Sequence, residues 1–412
     1  MVSSEPEKLE ALREEVRAFL RENLPQKWGT PAYEPLEAGS EEQIALSKSF
    51  TKKLYDAGYT AFGIPAAYGG IERPPQEIAV IREELRRQGT PFPFVGLGRL
   101  VVDTLLQWGT EEQKKRFIPP ILRGEVYWIE GFSEPNAGSD LAGVQTTAVR
   151  DGDEWIINGQ KCWTSGWDYG EWGFFLCRTD VNAPRHRNLS FFLFDCSTPG
   201  FSRRPLRQMT GEAHAQYGEL FFDDMRVPHE NMIGEEGRGW YVAMTTLIAE
   251  RGGGQVSAAS GETGGMGLGL FGARTIGGVD SLIELAKKTK HYGQTAWDDS
   301  SFRGRIAQIA IENEAMRAYG MRLGKMIMSG SASGNEASMA KLTWTEQGKR
   351  RGDMVCEIIG AYSQLMRGDS RAVDGGDLVY GMLMTRGTTI FMGTSEICRN
   401  ILAERILGLP RQ

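Results

Sequence analysis

Histidine is scarce in these 412 residues. His186, His214, His229 and His291 are dispersed along the chain, so spacing supports neither a metal cluster nor a Ser-His-Asp triad. Cysteine is scattered too: Cys162, Cys177, Cys196, Cys356 and Cys398 form no Cys-x-x-Cys pair, which reads as reduced thiols used mainly for packing. Positive charge is in deficit. The 47 Lys and Arg stand against 53 Asp and Glu, a net −6, with no basic field of the kind that nucleic acid requires. No run of 18 apolar residues occurs, which excludes a membrane-spanning helix. The stretch Met1-Val-Ser-Ser-Glu-Pro-Glu-Lys-Leu-Glu10 is acidic and lacks the apolar core of a signal peptide, so the expected location is the cytoplasm.

What is present is ample core material, 41% hydrophobic residues, in a chain of a length that suggests two or three domains. Apolar Leu9, Leu12, Val16, Phe19 and Leu20 recur at helical intervals between Glu7 and Leu24. The texture repeats over Ile44–Ala57, Pro75–Gln88 and Leu97–Trp108. Near Tyr127 it changes to short aromatic-rich runs, Phe174–Arg178, Leu189–Phe194 and Gly218–Phe222, separated by turn residues. Helical periodicity returns after Gly237, with Ile306–Met328 and Ala340–Gly360 long enough to build a bundle. The expected fold is therefore α+β and multidomain: an N-terminal helical domain over 1–125, a middle antiparallel β domain over 126–236 and a C-terminal helical bundle over 237–412.

Two neighbouring stretches carry the most information. In Gly131-Phe-Ser-Glu-Pro-Asn-Ala-Gly-Ser-Asp140, Glu134 to Gly138 reads as a turn, because Pro fixes φ and Gly tolerates positive φ. Thr146 to Ile157 alternates as two strands joined through Asp151-Gly152, a strong hairpin dipeptide, and Asn158-Gly159 reads as a second turn before Gln160-Lys-Cys-Trp-Thr-Ser165. A third feature is a decoy. Gly267-Leu-Gly-Leu-Phe-Gly272 satisfies G-x-G-x-x-G, but no buried strand precedes it and Gly277-Gly278 would interrupt the helix that a dinucleotide site needs. It reads as a glycine-rich loop.

The paired stretches resemble the flavin-facing segment of the acyl-CoA dehydrogenases, and the resemblance extends over almost the whole chain, to Gly393-Thr-Ser-Glu-Ile-Cys-Arg-Asn400 and Leu407-Gly-Leu-Pro-Arg411. It implies FAD as cofactor, an acyl-CoA thioester as substrate and an electron-transfer flavoprotein as acceptor. That chemistry needs a base for the α proton, an acceptor for the β hydride and donors for the thioester oxygen. The family's commoner base is a Glu directly before Gly-Thr, where this chain has Met392; the rarer one lies in a Glu-Arg pair, here Glu250-Arg251. The resemblance thus implies Glu250 as base, with Arg251 and the Met392 N–H on the substrate side and Ser139 at the CoA. It places Phe132, Ser133, Trp163 and Ser165 at the flavin ring, Glu130 near the same edge, and Thr394 and Glu396 at the flavin's phosphate arm. Each also has a plainer reading, Trp163 as sheet core and Ser133 as a turn cap among them.

The chain departs from the family in two places. Homotetrameric relatives clamp the ADP half of a neighbour's flavin with an Arg and a Gln, where this chain has Thr289 and Glu357. Thr cannot supply the Arg fork and Glu repels a pyrophosphate, although Lys288 or Lys290 stands near. The tetramer expected from the resemblance is therefore either self-sufficient or an α2β2 assembly with a paralogous partner, this chain bearing the base. The glycine-rich segment between Arg251 and Tyr292 either walls a wider pocket for bulky, cyclic or dicarboxylic acyl groups or loops away from it. A flavin oxidase or monooxygenase on the same fold and a non-catalytic subunit remain alternative readings.

Overall fold

The computed structural model describes residues 5–30, 33, 36, 40–90, 97–211, 217–251, 278–291 and 293–410, in two compact units, one ending at Ala249 and the other beginning at Glu250. The glycine-rich stretch after Arg251, with Gly267 to Gly272, lies outside the described residues, as does Tyr292.

The first unit opens with helices α1 (Glu5–Asn23), α2 (Glu41–Asp56), α3 (Pro75–Gln88), α4 (Gly98–Trp108) and α5 (Glu111–Leu122). Leu12, Val16 and Leu20 meet Phe50, Leu54, Val80 and Ile81 in one core, as the helical spacing of those residues requires. Glu84 is also buried there, taken up by Arg13 at 2.6 Å and Arg17 at 2.9 Å. The sequence reading did not single out α5. Its start was signalled by a Thr110–Gln113 capping box, while Pro119 and Pro120 near its end mask the helical pattern.

The aromatic runs form an eight-stranded sheet of β1 (Trp128–Gly131), β2 (Thr147–Asp151), β3 (Glu154–Ser165), β4 (Trp172–Arg178), β5 (Leu189–Asp195), β6 (Phe201–Pro205), β7 (Tyr217–Pro228) and β8 (Met232–Ile233). Its path is β6-β7-β3-β2-β4-β5-β8, with β1 against β4. Most pairings are antiparallel, yet β1 and β2 both run parallel to β4, so the sheet is mixed where a wholly antiparallel one was expected. The β2–β3 hairpin separates β1 from β4 in sequence, and that long connection permits the parallel alignment that a direct hairpin forbids. Phe175, Phe192, Phe194 and Phe222 fill the interior.

The turn expected at Asn158-Gly159 is absent. β3 passes straight through, with a register shift against β7 between Ile157 and Gly159. Gly159 takes φ +146°, and a Cβ there would lie 2.6 Å from Thr146 Oγ1, so the glycine serves a bulge and a close approach instead. Helix α6 (Gly239–Glu250) packs on α4 through Thr104–Thr246 at 2.8 Å and Trp108 Nε1 to Thr245 at 2.9 Å.

The second unit contains α7 (Val279–Lys288), a ribbon of β9 (Lys290–His291) and β10 (Gln294–Thr295), then α8 (Ser300–Met328), α9 (Ala337–Ile359), α10 (Asp377–Thr388) and α11 (Ser395–Ile401). Leu282, Ile306, Ile309, Met354, Val355 and Ile358 share its core with Leu378 and Val379. Gly352 lets α9 approach α10 closely, since a Cβ there would sit 3.2 Å from Met382 Cα. No helix among the described residues is long and apolar enough to cross a membrane.

Gly173 marks a tight place in the aromatic interior: a Cβ there would lie 2.2 Å from the Phe194 ring. Gly173→Ala should cost about 1–3 kcal/mol through overpacking, read as a lower denaturant midpoint; an unchanged midpoint would show that the ring has room to move.

Candidate active site

In the first unit, two hydrogen bonds bring the singled-out residues together. The Cys162 N–H donates to Ser133 O at 2.9 Å, and Thr164 Oγ1 donates to Glu130 O at 2.9 Å. The end of β1 therefore lies alongside the end of β3. Between Lys161 and Thr164 the β3–β7 ladder slips, and Trp163 adopts φ 64° there. A bulge of this kind re-aims a side chain. The Trp163 indole is 57% exposed, with Tyr217 edge-on at 6.1 Å, so it is not sheet core. Ser133 and Ser165 are half-buried on either side of this feature, whereas Phe132 is turned inward against Phe174 and Phe191. An exposed indole face flanked by two hydroxyl residues suits the plane and polar edge of a flavin ring. Ser139 lies exposed beyond the turn, next to Asp140, which pairs with Arg185.

The turn is anchored by a buried ion pair. Lys161, fully buried on β3, places Nζ 2.7 Å from Glu134 Oε1, and the same carboxylate accepts the Gln145 N–H at 2.6 Å and the Thr146 N–H at 3.0 Å. Burial alone would push the Glu134 carboxyl up; Lys161 and the N–H donors more than offset it and hold the group below the ordinary carboxylate range. The sequence reading gave neither residue a role. A signal existed: Lys161 shares the inward parity of Trp155 and Ile157 on β3, and a lysine on a core-facing position requires a buried acid.

In the second unit, Arg251, which follows Glu250, meets the Phe391–Thr394 turn. Arg251 Nε donates to Met392 O at 2.9 Å. Met392 has φ 58° and Gly393 φ 89°, two consecutive left-handed residues, of which only the glycine adopts that region readily. Lys341 of α9, 3% exposed, donates from Nζ to Gly393 O at 2.7 Å. Sequence reasoning missed Lys341, because nothing local links it to a turn 52 residues away. Glu250, the last residue of α6, is half-buried. Burial pushes its carboxyl up to about 7, against the opposing pull of Arg251 and then Lys341. Such a value suits proton abstraction near neutral pH. Thr394 caps α11 by accepting the Ile397 N–H at 3.2 Å, and Glu396 in the first turn stays exposed.

The departures from the family clamp also have a structural setting. Glu357 on α9 is bound by Arg305 of α8, with Nη2 to Oε1 at 3.0 Å and a second, shorter contact. The carboxylate at this position is thus engaged within its own unit. Thr289 follows α7 directly, where its N–H closes the helix onto Leu285 O at 3.0 Å. Among the described residues, no group of three or more His, Cys, Asp or Glu stands close enough to hold a metal ion.

Three family models match the chain: the acyl-CoA dehydrogenase N-terminal domain over residues 6–125, the middle domain over 130–225 and the C-terminal domain over 237–407. Acyl-CoA dehydrogenase IpdE1 of Mycobacterium tuberculosis is 36% identical over 409 residues, covering 98% of each chain. A solved chain of the Tcur3481-Tcur3483 steroid ACAD is 30% identical and covers all of both chains with a TM-score of 0.75. A chain of the ChsE4-ChsE5 complex from Mycobacterium tuberculosis is 28% identical, again over the full length of both, with a TM-score of 0.73.

Lys161→Met should lower stability by about 3–5 kcal/mol, the cost of leaving a buried carboxylate unpaired, with part recovered when Glu134→Gln is added. Denaturant unfolding of the single and double variants checks this. A single variant as stable as the parent would mean that water already reaches the pair.

Proposed function

The chain belongs to the acyl-CoA dehydrogenase family, whose members are FAD-dependent oxidoreductases acting on acyl-CoA thioesters, and from that premise we propose that it introduces the α,β double bond into a cyclic or steroid-derived acyl-CoA with Glu250 as base. The observation that carries this reading is the Glu250 carboxyl, raised to about 7 by burial beside Arg251 and Lys341, while Met392 occupies the family's commoner base position and cannot accept a proton. Glu250 removes the α proton, and the Met392 N–H donates to the thioester oxygen as negative charge develops there. Arg251 holds the Met392 carbonyl and thereby the turn. Bound FAD supplies the acceptor for the β hydride. Trp163 walls the ring, Ser133 and Ser165 offer hydroxyls to its edge, and Phe132 supports it from within. Ser139 meets the CoA, and Thr394 and Glu396 lie toward the phosphate arm of the cofactor. The electrons pass to an electron-transfer flavoprotein, and the enzyme works in the cytoplasm.

The substrate class is supported by the steroid ACAD relative, matched over the whole chain. The assembly in this proposal is an α2β2 tetramer in which a paralogue supplies the cofactor clamp. The Arg305–Glu357 pair and Thr289 support it, as does the match to a subunit of a two-component complex.

Glu250→Gln should keep its flavin absorbance yet lose roughly 10²–10⁴-fold in the rate at which cyclohexane-1-carbonyl-CoA or the true substrate bleaches it, the range for removing a general base. Because the base acts deprotonated, the parent's rate should climb as pH rises through about 7. A variant that bleaches at the parent's rate would remove Glu250 from the reaction. The assembly is tested by visible absorption of the chain purified alone and co-expressed with a paralogue: flavin only in the second sample is expected, and stoichiometric flavin in the first would sink the split site.

A further inference from the structure

Lys341 lies outside every sequence motif, and no role falls to it in the proposed reaction, yet it is one of the most deeply placed cations in the second unit at 3% exposure. Its ammonium donates to Gly393 O at 2.7 Å, the carbonyl that follows the one held by Arg251 at 2.9 Å. Two cations from separate parts of the unit thus bind two consecutive carbonyls. The residues that carry those carbonyls are both left-handed, Met392 at φ 58° and Gly393 at φ 89°, and for Met392 that conformation is strained unless its surroundings impose it. There is also little room for adjustment, since a Cβ on Gly393 would lie 3.0 Å from Arg251 Nη2.

Anchoring both peptide planes that flank Gly393 has a consequence one residue upstream. With the plane after Met392 fixed and its φ held positive, the plane before it, which carries the Met392 N–H, has a set direction. Releasing Gly393 O would let Met392 relax toward negative φ and swing that N–H away. We propose that Lys341 is a positioning residue for the dehydrogenation, holding the Met392–Gly393 turn through the Gly393 carbonyl and placing a fixed positive charge in the field of Glu250. The proposal rests on the assignment of Glu250 and the Met392 N–H above.

Among the described residues, the charges around the pair are few. Glu250 faces Arg251 and Lys341; Lys341 in turn faces Cys398 of α11, Arg251, Glu250 and Glu346 of its own helix. Burial depresses the Lys341 ammonium and Arg251 opposes it, while Glu250 and Glu346 support it; burial pushes the Cys398 thiol up, so it carries no charge near neutral pH. Lys341 also holds the Glu250 carboxyl lower than burial alone would leave it. Removing this charge therefore raises the pH at which the base becomes active.

The test uses the flavin-loaded enzyme, in complex with its partner if flavin retention requires it, and follows flavin bleaching by cyclohexane-1-carbonyl-CoA across pH 5.5 to 9, a range of roughly two units about the limb. Lys341→Met loses both the bond and the charge, so kcat should fall on the order of 10–100-fold, with little change in KM and the rising limb displaced upward in pH. Lys341→Gln keeps a donor for Gly393 O without the charge: its limb should move likewise, with a smaller loss in kcat, and it carries the test should the Met variant misfold. Lys341→Arg restores the charge and should return the limb toward the parent's position. Folded, flavin-loaded Gln or Met variants whose limb stays where the parent's lies would overturn the proposal. If Glu250→Gln is inactive in that case, Lys341 alone is struck out; if Glu250→Gln bleaches normally, the base assignment has failed instead.

Discussion

Lys161 and Glu134 meet in the interior of the first unit, and the turn beside Ser133 depends on that meeting. A buried lysine is tolerated only with a partner, and a buried carboxylate only with donors on its remaining lone pairs. Glu134 satisfies both demands, taking Lys161 on one side and the Gln145 and Thr146 N–H groups on the other. The pair thereby ties the Glu134–Ala137 turn to β3 and to the start of β2. Ser133, next to Glu134, and Trp163, two residues beyond Lys161, inherit their places from it.

A comparable economy operates in the second unit, where two cations act on a turn of four residues. Arg251 and Lys341 bind the carbonyls of Met392 and Gly393, and the same two charges temper the Glu250 carboxyl. Geometry and electrostatics are coupled there. The groups that hold the backbone in a left-handed course also decide how far burial can raise the Glu250 carboxyl. The Met392 N–H is an amide donor that does not depend on the side chain beside it.

The Arg305–Glu357 pair gives a physical account of one departure from the family pattern. A glutamate where relatives place a glutamine would repel a pyrophosphate if it faced one; bound to Arg305 across α8 and α9, it is neutralised within its own unit. An exposed bidentate pair of this kind adds modest stability.

Much of the fold was legible from local pattern. Helices at Pro75–Gln88 and Gly98–Trp108, the hairpin at Asp151-Gly152 and the aromatic strands follow from periodicities and turn dipeptides that act over a few residues. Glu250 and Arg251 drew notice as a pair, and Met392 as a departure, only through the resemblance to a family motif. Other features were set by contacts distant in sequence. Asn158-Gly159 has the composition of a turn, yet pairing with β7 and the close approach of Thr146 keep it within β3 as a bulge. The parallel run of β1 beside β4, the inward rotation of Phe132 and the exposure of Trp163 arise from how strands join in a sheet. Lys341 is the sharpest case: its sequence neighbours say nothing of Gly393, 52 residues on. Local chemistry determined which segments are helix, strand or turn and which residues are able to do chemistry, because those preferences are intrinsic to short stretches of backbone. Tertiary structure alone decided which buried charges meet and what they hold, because desolvation and ion pairing depend on groups that the chain brings together only by folding.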